Sequence, residues 1–277
     1  MISRLISVLK LNHLMASSIK VENDLDFSTF REYMDSNPYP GFSIYLNFKS
    51  GNTTKLTNMV YQLSINSASQ CRGIYVFTDS EIEYLKYIYS ECPVYTINQK
   101  ERNIKNFYHF PPFFNSKYFV LIDDNIEIND DNILGKIEKF IECKNLEAAS
   151  PKIYTPFVRQ ITNDRYHIDV LTGYNSIVTN FAIADYNFLQ ISNLYSKMAP
   201  QELLDMINGE CNDIWLSFLA YKLKDEPFEK IDSFSLSYDR SNEVLSINKK
   251  EQCIRAIKKH YPSFNWDNKT IKLVSSA

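Results

Sequence analysis

The stretch Phe119-Val120-Leu121-Ile122-Asp123-Asp124-Asn125-Ile126-Glu127-Ile128 decides the fold, because an apolar run gives way at once to two acids and an amide. A short continuous apolar run of this kind is typical of a strand that is buried on both faces of a sheet. In an open α/β sheet, ligands bind beyond the carboxyl ends of the strands, so polar side chains at that end face a crevice. The stretch therefore predicts a buried strand that presents Asp123, Asp124 and Asn125 to a ligand.

Oxygen atoms at the end of this strand are candidate ligands for a divalent cation. Mg²⁺ and Mn²⁺ prefer carboxylate and carbonyl oxygens, and they often lie between one or two carboxylates and the phosphates of a nucleotide. Asp123 and Asn125 could supply such ligands, although the neutral oxygen of Asn125 would hold a cation more weakly than a carboxylate. Asp and Asn are also common in turns, so a polar turn without a ligand is the alternative interpretation.

The segments before and after this strand alternate between strand-like and helix-like patterns. Strands are predicted over 42–48, 73–78, 94–97 and 119–122, within 148–154, and over 231–236. Helices are predicted over 53–65, 79–89, 130–143 and 248–260. Strands that alternate with helices are typical of βαβ units with right-handed crossovers. The sequence thus predicts an α/β fold in a single domain, with a mostly parallel, Rossmann-like central sheet flanked by helices.

Composition narrows the classes of function. The chain has 277 residues, 44% of them hydrophobic, and a formal net charge of −3, so it lacks the overall positive charge that attracts nucleic acid. None of its six glycines forms the GxGxxG or GxxxxGK[ST] pattern of a dinucleotide site or a P-loop. Five single cysteines without a CxxC pair argue against a zinc site and a disulfide framework, and favour a reducing, cytoplasmic location.

The first 17 residues carry apolar side chains at helical spacing, with Arg4, Lys10 and His13 between them. This pattern predicts an amphipathic helix. The helix could cover the body of the domain, or it could lie on a membrane surface and make the protein peripheral to that membrane. No apolar run approaches the roughly 20 residues that span a bilayer, so a soluble protein is expected.

A second polar signal opens a later helix, in Gly209-Glu210-Cys211-Asn212-Asp213-Ile214-Trp215-Leu216-Ser217-Phe218-Leu219. Asn212 is a suitable N-cap, and Trp215, Leu216 and Leu219 lie at the spacing of a buried helix face. Asp213 would then lie in the first turn, where a negative charge interacts favourably with the helix dipole without any catalytic role. A catalytic carboxylate is the alternative interpretation of the same residue.

Together these motifs resemble the Asp-x-Asp type of GT-A fold glycosyltransferase, as in the family 2-like and exostosin-like members. In that family the acids at the strand end hold the ribose and the metal of a nucleotide-sugar. The resemblance implies that Asp123 and Asn125 bind Mn²⁺ or Mg²⁺ and that Asp124 supports donor binding. It also implies that Asp213, at the start of a later helix, faces the acceptor, and that it is the general base if the enzyme is inverting.

Three further residues are candidates for donor binding. The cations Arg102 and Lys105 could meet a diphosphate near the same crevice, although such a run is also common in solvated loops. Gly173 permits a positive φ or a close backbone approach, and a comparable glycine-containing segment lies against the donor or acceptor sugar in GT-A enzymes. The basic helix over 248–260 could place a cation on the leaving diphosphate, or it could simply be solvated.

The resemblance implies transfer of a sugar from a nucleotide-diphosphate sugar, with a UDP-sugar expected, to a glycan, a lipid-linked acceptor or another hydroxyl acceptor. Synthesis of a surface polysaccharide or glycoconjugate is the expected context. The expected organisation is an N-terminal helical segment, a nucleotide-sugar-binding half, an acceptor-binding half and a C-terminal helical tail, over 1–40, 41–128, 129–240 and 241–277.

Two other functions compete with this expectation. Asn125 and Asn212 replace acids that are usual in the family, so a catalytically weak or inactive nucleotide- or sugar-binding protein is the alternative. A phosphatase with an Asp nucleophile fits less well, because its Asp-x-Asp is usually followed by Ser or Thr near the start of the domain.

Overall fold

The structure is a computed structural model that describes residues 41–48, 52–64, 68–78, 92, 94–98, 116–146, 153–170, 172–185, 188–189, 192, 195–196, 198–207, 211–223 and 227–272. The predicted helices over 1–17 and 79–89, together with Arg102 and Lys105, lie outside these residues. Among the helices inside them, none combines the length and the apolar content needed to cross a membrane.

The described elements begin with the first predicted strand. In chain order the strands are β1 (Phe42–Phe48), β2 (Cys71–Thr78), β3 (Val94–Asn98), β4 (Tyr118–Asp123), β5 (Ile126–Ile128), β6 (Ile153–Thr155), β7 (Val158–Thr162), β8 (Arg165–His167), β9 (Gly173–Tyr174), β10 (Ser176–Ile177), β11 (Phe181–Asp185), β12 (Phe228–Lys230), β13 (Leu236–Tyr238) and β14 (Ile271–Lys272). The helices are α1 (Thr53–Ser64), α2 (Ile133–Leu146), α3 (Gln201–Ile207), α4 (Asn212–Leu223) and α5 (Ser241–His260), followed by a 3₁₀ helix over Trp266–Lys269.

The central sheet is mixed and mostly parallel, in the order β12-β6-β11-β4-β1-β2-β3. β1, β2, β3 and β4 are parallel to their neighbours within this group, whereas β11 is antiparallel to both β4 and β6. The chain leaves β1 for β2 and β3 on one side, and then returns to the other side of β1 as β4. The α/β fold predicted from the sequence is confirmed, and β1 and β4 flank a topological switch point.

Both faces of the sheet are covered by apolar side chains, as the near-continuous apolar strands require. On one face, Tyr45 packs edge-on against Phe77 and Phe119, with ring centroids 5.1 and 4.7 Å apart. This face belongs to the same core as the buried residues of α4 and α5. The other face, which includes Ile44 and Val120, packs with the apolar sides of α1 and α2. Because helices cover both faces, the carboxyl ends of the strands are where an α/β sheet of this kind would bind a ligand.

The predicted strands over 42–48, 73–78, 94–97 and 119–122 correspond closely to β1, β2, β3 and β4, and the predicted helices over 53–65 and 130–143 correspond to α1 and α2. The predicted strand over 231–236 is wrong, because strands lie on either side of it instead, at β12 and β13. Ile231 and Phe234 are both buried, although they are three positions apart and would point to opposite faces of a regular strand. Their shared burial therefore agrees with an irregular segment between β12 and β13.

The last helix begins earlier than the predicted 248–260. Asp239 accepts hydrogen bonds from both the backbone amide and the hydroxyl of Ser241, at 2.9 and 2.7 Å, and α5 starts at Ser241. Polar residues that resemble a loop therefore form the start of this helix, since a short acidic side chain can bind a free amide there.

Candidate functional site

Asp123 lies at the topological switch point, as the last residue of β4. It is paired in register with Asn47 of β1, and Asn47 Nδ2 donates a hydrogen bond of 2.7 Å to Asp123 Oδ1. The backbone amide of Asp123 donates to the carbonyl of Asn180 at 2.8 Å, just before β11. Three neighbouring strands therefore fix the position of this carboxylate at the edge where α/β sheets bind ligands.

Asp124 and Asn125 form the turn between β4 and β5. The side-chain oxygen of Asn125 is buried and accepts no hydrogen bond from the described part of the chain. A buried acceptor without a partner costs about 1 to 3 kcal/mol, so such atoms are rare unless they bind a ligand, a water or an ion. The polar turn predicted after the strand is present, and it carries an oxygen that is suited to a ligand.

The oxygen atoms of Asp123 and Asn125 are of the kind that a divalent cation prefers. Asp123 and Asn125 would hold it, because hard cations take carboxylate and amide oxygens together. Within the described residues, no group of three or more His, Cys, Asp or Glu side chains could hold a metal by itself. Oxygens of a bound phosphate and water would therefore have to complete the coordination, as is usual for Mg²⁺.

A cation of the protein itself lies near the same edge. Lys55 is in the first turn of α1, the helix that follows β1. The pKa of the exposed Asp239 is lowered mainly by hydrogen bonds from Ser241, and the charge of Lys55 lowers it further. The backbone amide of Asp239 in turn donates to the carbonyl of Asn125 at 3.3 Å. Lys55 was not identified as a candidate in the sequence analysis. Its position at the start of the helix after the first strand was the signal that could have identified it.

Asp213 lies where the sequence predicted it, in the first turn of α4, but it is only 5% exposed. Lys250 Nζ, from α5, binds its Oδ2 in a short ion pair, and its Oδ1 accepts from the backbone amide of Ile214 at 2.9 Å. Both carboxylate oxygens are therefore engaged by the protein. Lys250 belongs to the predicted basic helix, yet it faces this acid and not the solvent.

The ion pair is one end of a larger buried ion network, which we define as Arg159, Tyr166, Asp213, Tyr238, Glu243 and Lys250. Arg159 binds Glu243 through two nitrogens, with Nε to Oε1 at 2.6 Å and Nη2 to Oε2 at 2.5 Å. Tyr166 donates to Glu243 at 2.6 Å and accepts from Lys250 at 3.1 Å. Tyr238 donates to Glu243 and accepts from Arg159 in short hydrogen bonds. The network thus joins β7, β8, β13, α4 and α5.

Burial and charge act in opposite directions on the two acids of the network. Burial raises the pKa of Asp213, although Lys250 works against this increase. Burial would also raise the pKa of Glu243, but the hydrogen bonds and charge of Arg159, with the charge of Lys250, outweigh it and lower that pKa to about 2. Glu243 is therefore ionised at neutral pH and is the anion on which the network centres.

We expect Glu243 to make the fold sensitive to acid. Its pKa is about 2 in the folded protein against an ordinary 4.5, so its contribution is complete above pH 4.5 and is lost as the pH falls toward 2. This contribution is on the order of 3 kcal/mol. Protonation of Asp213 offsets part of the loss, because its pKa is raised in the folded state.

Urea unfolding of the wild type and of Glu243→Gln measures this contribution. The difference between their free energies of unfolding should become smaller as the pH falls from 6 to 3. An equal difference at both values would contradict this account.

The network and the strand-end site are adjacent in the fold. β13 pairs with β5, so that Tyr238 lies opposite Ile126, the residue after Asn125. Asp239, which follows Tyr238, bonds the backbone of Asn125. The short strand β13 therefore connects the strand-end site at Asp123 with the network around Asp213, which are separate motifs in the sequence.

Gly173 is buried in β9, where it pairs with Lys272 of β14. A Cβ atom on Gly173 would lie 2.6 Å from Thr270 Cγ2 and 2.7 Å from the carbonyl oxygen of Ile271. The predicted close backbone approach is thus made by the C-terminal part of this chain. A role of Gly173 in donor binding stays a prediction.

The other cations of the basic helix lie on the surface. Lys258 pairs with Asp164 and Lys259 pairs with Glu202, both at 2.7 Å, and His260 Nε2 lies 3.0 Å from the same carboxylate of Glu202. These contacts agree with a solvated helix face. Arg159 and Glu243 were not identified from the sequence, because they are 84 positions apart and no local pattern connects them.

Similarity to known proteins is limited. No protein-family model and no curated protein matches the chain. Among solved structures, mouse xyloside xylosyltransferase 1 is similar with a TM-score of 0.40 and 9% sequence identity, over 69% of this chain and 85% of that chain. TarS of S. aureus is similar with a TM-score of 0.33 and 13% identity, over 61% of this chain and 33% of that chain, so the chain spans about a third of TarS. The function therefore has to be inferred from the site itself.

Proposed function

We propose that the chain is a glycosyltransferase that binds a nucleotide-diphosphate sugar at the carboxyl ends of β1 and β4 and transfers the sugar to a hydroxyl acceptor. The observation that carries this proposal is the strand-end site, in which Asp123 is fixed by Asn47 and the oxygen of Asn125 is buried without a hydrogen-bond donor from the described residues. We propose a UDP-sugar as the donor and a glycan or lipid-linked hydroxyl as the acceptor.

Each residue of the site has a role in this proposal. Asp123 and Asn125 would hold Mn²⁺ or Mg²⁺, and such a cation supplies positive charge to the leaving diphosphate. Asn47 orients the carboxylate of Asp123 by its hydrogen bond. Asp124 would support the ribose, and Lys55 would place a second positive charge at the same edge. Because an activated sugar already has a good leaving group, charge neutralisation and orientation supply much of the catalysis.

Asp213 is the proposed base, and its ion pair sets a condition on that role. Lys250 occupies Oδ2, so the carboxylate could accept a proton from an acceptor hydroxyl only after that contact had opened or shifted. This engagement favours a second candidate function, a nucleotide- or sugar-binding protein on the same fold with weak or no catalysis. In that case Asp213 would serve only to hold α4 against α5.

Thermal unfolding of the full chain with a panel of nucleotide-sugars, with and without Mn²⁺, tests the proposal. A true donor should raise the midpoint at concentrations above its dissociation constant. Mass spectrometry of the same mixtures with sugar acceptors then separates the two functions. A glycosylated product, or slow hydrolysis of the donor, indicates a transferase, whereas stabilisation without turnover indicates a binding protein. Absence of stabilisation by every nucleotide tested would contradict both.

Replacing Asn125 with Asp should strengthen the dependence on metal. A carboxylate at this position adds a negative charge to the oxygens that face the cation, so nucleotide binding should respond more steeply to Mn²⁺. Calorimetric titration of UDP at several Mn²⁺ concentrations measures this response, and Asp232→Asn, at an exposed acid away from the turn, is the control. An unchanged dependence on Mn²⁺ would show that Asn125 does not contact the metal.

A further inference from the structure

Two cysteines outside the candidate site lie in contact. Cys71 is the first residue of β2, and Cys92 precedes β3, with their sulfur atoms 2.8 Å apart. Neither cysteine forms a disulfide in the structure. They are 21 positions apart, which is why the sequence showed only single, scattered cysteines.

We propose that Cys71 and Cys92 are a redox-active thiol pair that closes to a disulfide between the start of β2 and the segment before β3. A disulfide has an S–S distance of about 2.0 Å, so the sulfur atoms need to approach by only about 0.8 Å. Cys71 is held by the register of β2 with β1, in which it faces Phe42.

The two thiols have different reactivity. Contact with Cys92, together with burial, raises the pKa of Cys71, whereas contact with Cys71 lowers the pKa of Cys92. Because the thiolate is the nucleophile in disulfide exchange, the cysteine that ionises first attacks the oxidant, and the other cysteine acts as the resolving thiol.

The reaction requires an oxidant of the small-disulfide class, such as oxidised glutathione. The thiolate of one of these two cysteines attacks one sulfur of that disulfide, forms a mixed disulfide and releases one small thiolate. The thiol of the other cysteine then loses its proton and attacks the protein sulfur of the mixed disulfide, which breaks that bond and releases the second small thiolate. Two protein thiols are oxidised by two electrons and one small disulfide is reduced to two thiols, so the exchange is balanced.

The position of the pair indicates what the bond would do. β3 is an edge strand of the central sheet and pairs only with β2 within the described sheet. A disulfide at its start would tie this edge to β2, and the bond would stabilise the fold by restricting the unfolded chain. Cys71 lies at the amino end of β2, whereas Asp123 lies at the carboxyl end of the parallel β4. The proposal is therefore independent of the proposed function.

The test uses the full chain carrying Cys143→Ser, which removes an exposed thiol that would form intermolecular bonds. The protein is equilibrated, while folded, with mixtures of oxidised and reduced glutathione, and then alkylated and digested without reductant. We expect a peptide pair linked through Cys71 and Cys92, a mass loss of about 2 Da that dithiothreitol reverses, and an unfolding midpoint raised by about 5 °C.

Matched variants make the result specific. Cys92→Ser and Cys71→Ser should each abolish both the linkage and the rise in midpoint, because each variant keeps only one thiol of the pair. The buried pair Cys211 and Cys253, which is also in contact, is mapped in the same digest. Linkage only after denaturation, linkage of Cys211 to Cys253 alone, or no linkage at any glutathione ratio would overturn the proposal.

Discussion

Replacing Asp123 with alanine should reduce the affinity of the chain for UDP in the presence of Mn²⁺ by about 100-fold or more. Even residues that only support a metal ligand cost about ten- to a hundredfold in metal affinity when they are changed, and Asp123 is proposed as a ligand itself. The fold should persist, because this carboxylate is only partly buried at the end of β4. Isothermal calorimetry with UDP and Mn²⁺, together with thermal unfolding of the free protein, measures both quantities.

Two control variants locate the effect. Asp232→Ala removes an acid that is 77% exposed and pairs with Lys230, so UDP affinity should not change. Asn47→Ala leaves the carboxylate in place but removes the hydrogen bond that orients it, so affinity should fall by less than in Asp123→Ala. Wild-type affinity in a folded Asp123→Ala protein would remove the basis for placing the nucleotide at the switch point.

The parts of the fold that the sequence predicted well are those that local patterns determine. The apolar run that ends at Ile122 can be buried only as a strand between two covered faces, and the acids that follow it can lie only at an exposed edge. The same argument located Asp213 at a helix start, because Asn212 and the apolar residues after it fix the helix boundary. Both positions hold in the structure.

The surroundings of these acids could not be predicted, because they are made by residues far apart in the chain. Asn47 meets Asp123 across 76 positions, and Lys250 meets Asp213 across 37. Lys250 resembles its basic neighbours on α5 in the sequence, and only the packing of α5 distinguishes it as buried. The periodicity of a segment predicts which face of its own helix or strand a side chain lies on. Which other element packs on that face depends on the topology of the whole fold.

The contact with Lys250, which the sequence did not predict, changes the interpretation of Asp213. From the sequence, its alternatives were a dipole effect at a helix start and a catalytic base, and the first would be worth less than about 1 kcal/mol. The structure adds a third, because a buried carboxylate paired with a buried ammonium holds two helices together. A loss of activity in Asp213→Asn is therefore informative only when the folded fraction is measured in the same sample.

Lys250→Met should destabilise the fold by about 3 to 5 kcal/mol, because it leaves the buried carboxylate of Asp213 without its ammonium partner. Asp213→Asn should cost less, because Lys250 Nζ keeps Glu243 as a second acidic partner at 3.9 Å. The double variant should cost clearly less than the sum, since neither charge then remains in the interior. Urea unfolding of the four proteins measures the coupling. The exposed pair of Lys258 and Asp164, at 2.7 Å, is the matched control, and its coupling should not exceed about 1 kcal/mol.

The same variants decide between the two roles of Asp213 once a donor is known. If Asp213 is the base, the folded Asp213→Asn protein should bind the donor normally but transfer sugar about 100-fold more slowly, because general-base catalysis is worth at least that factor. If it serves only to hold α4 against α5, turnover per folded molecule should stay near the wild-type value. Donor affinity measured beside turnover separates the acceptor side from the donor side, since a residue on the acceptor side alters only turnover. Additive stability losses in the double variant would show instead that the ion pair with Lys250 does not hold Asp213 in solution, and the carboxylate would then be free to act as the base.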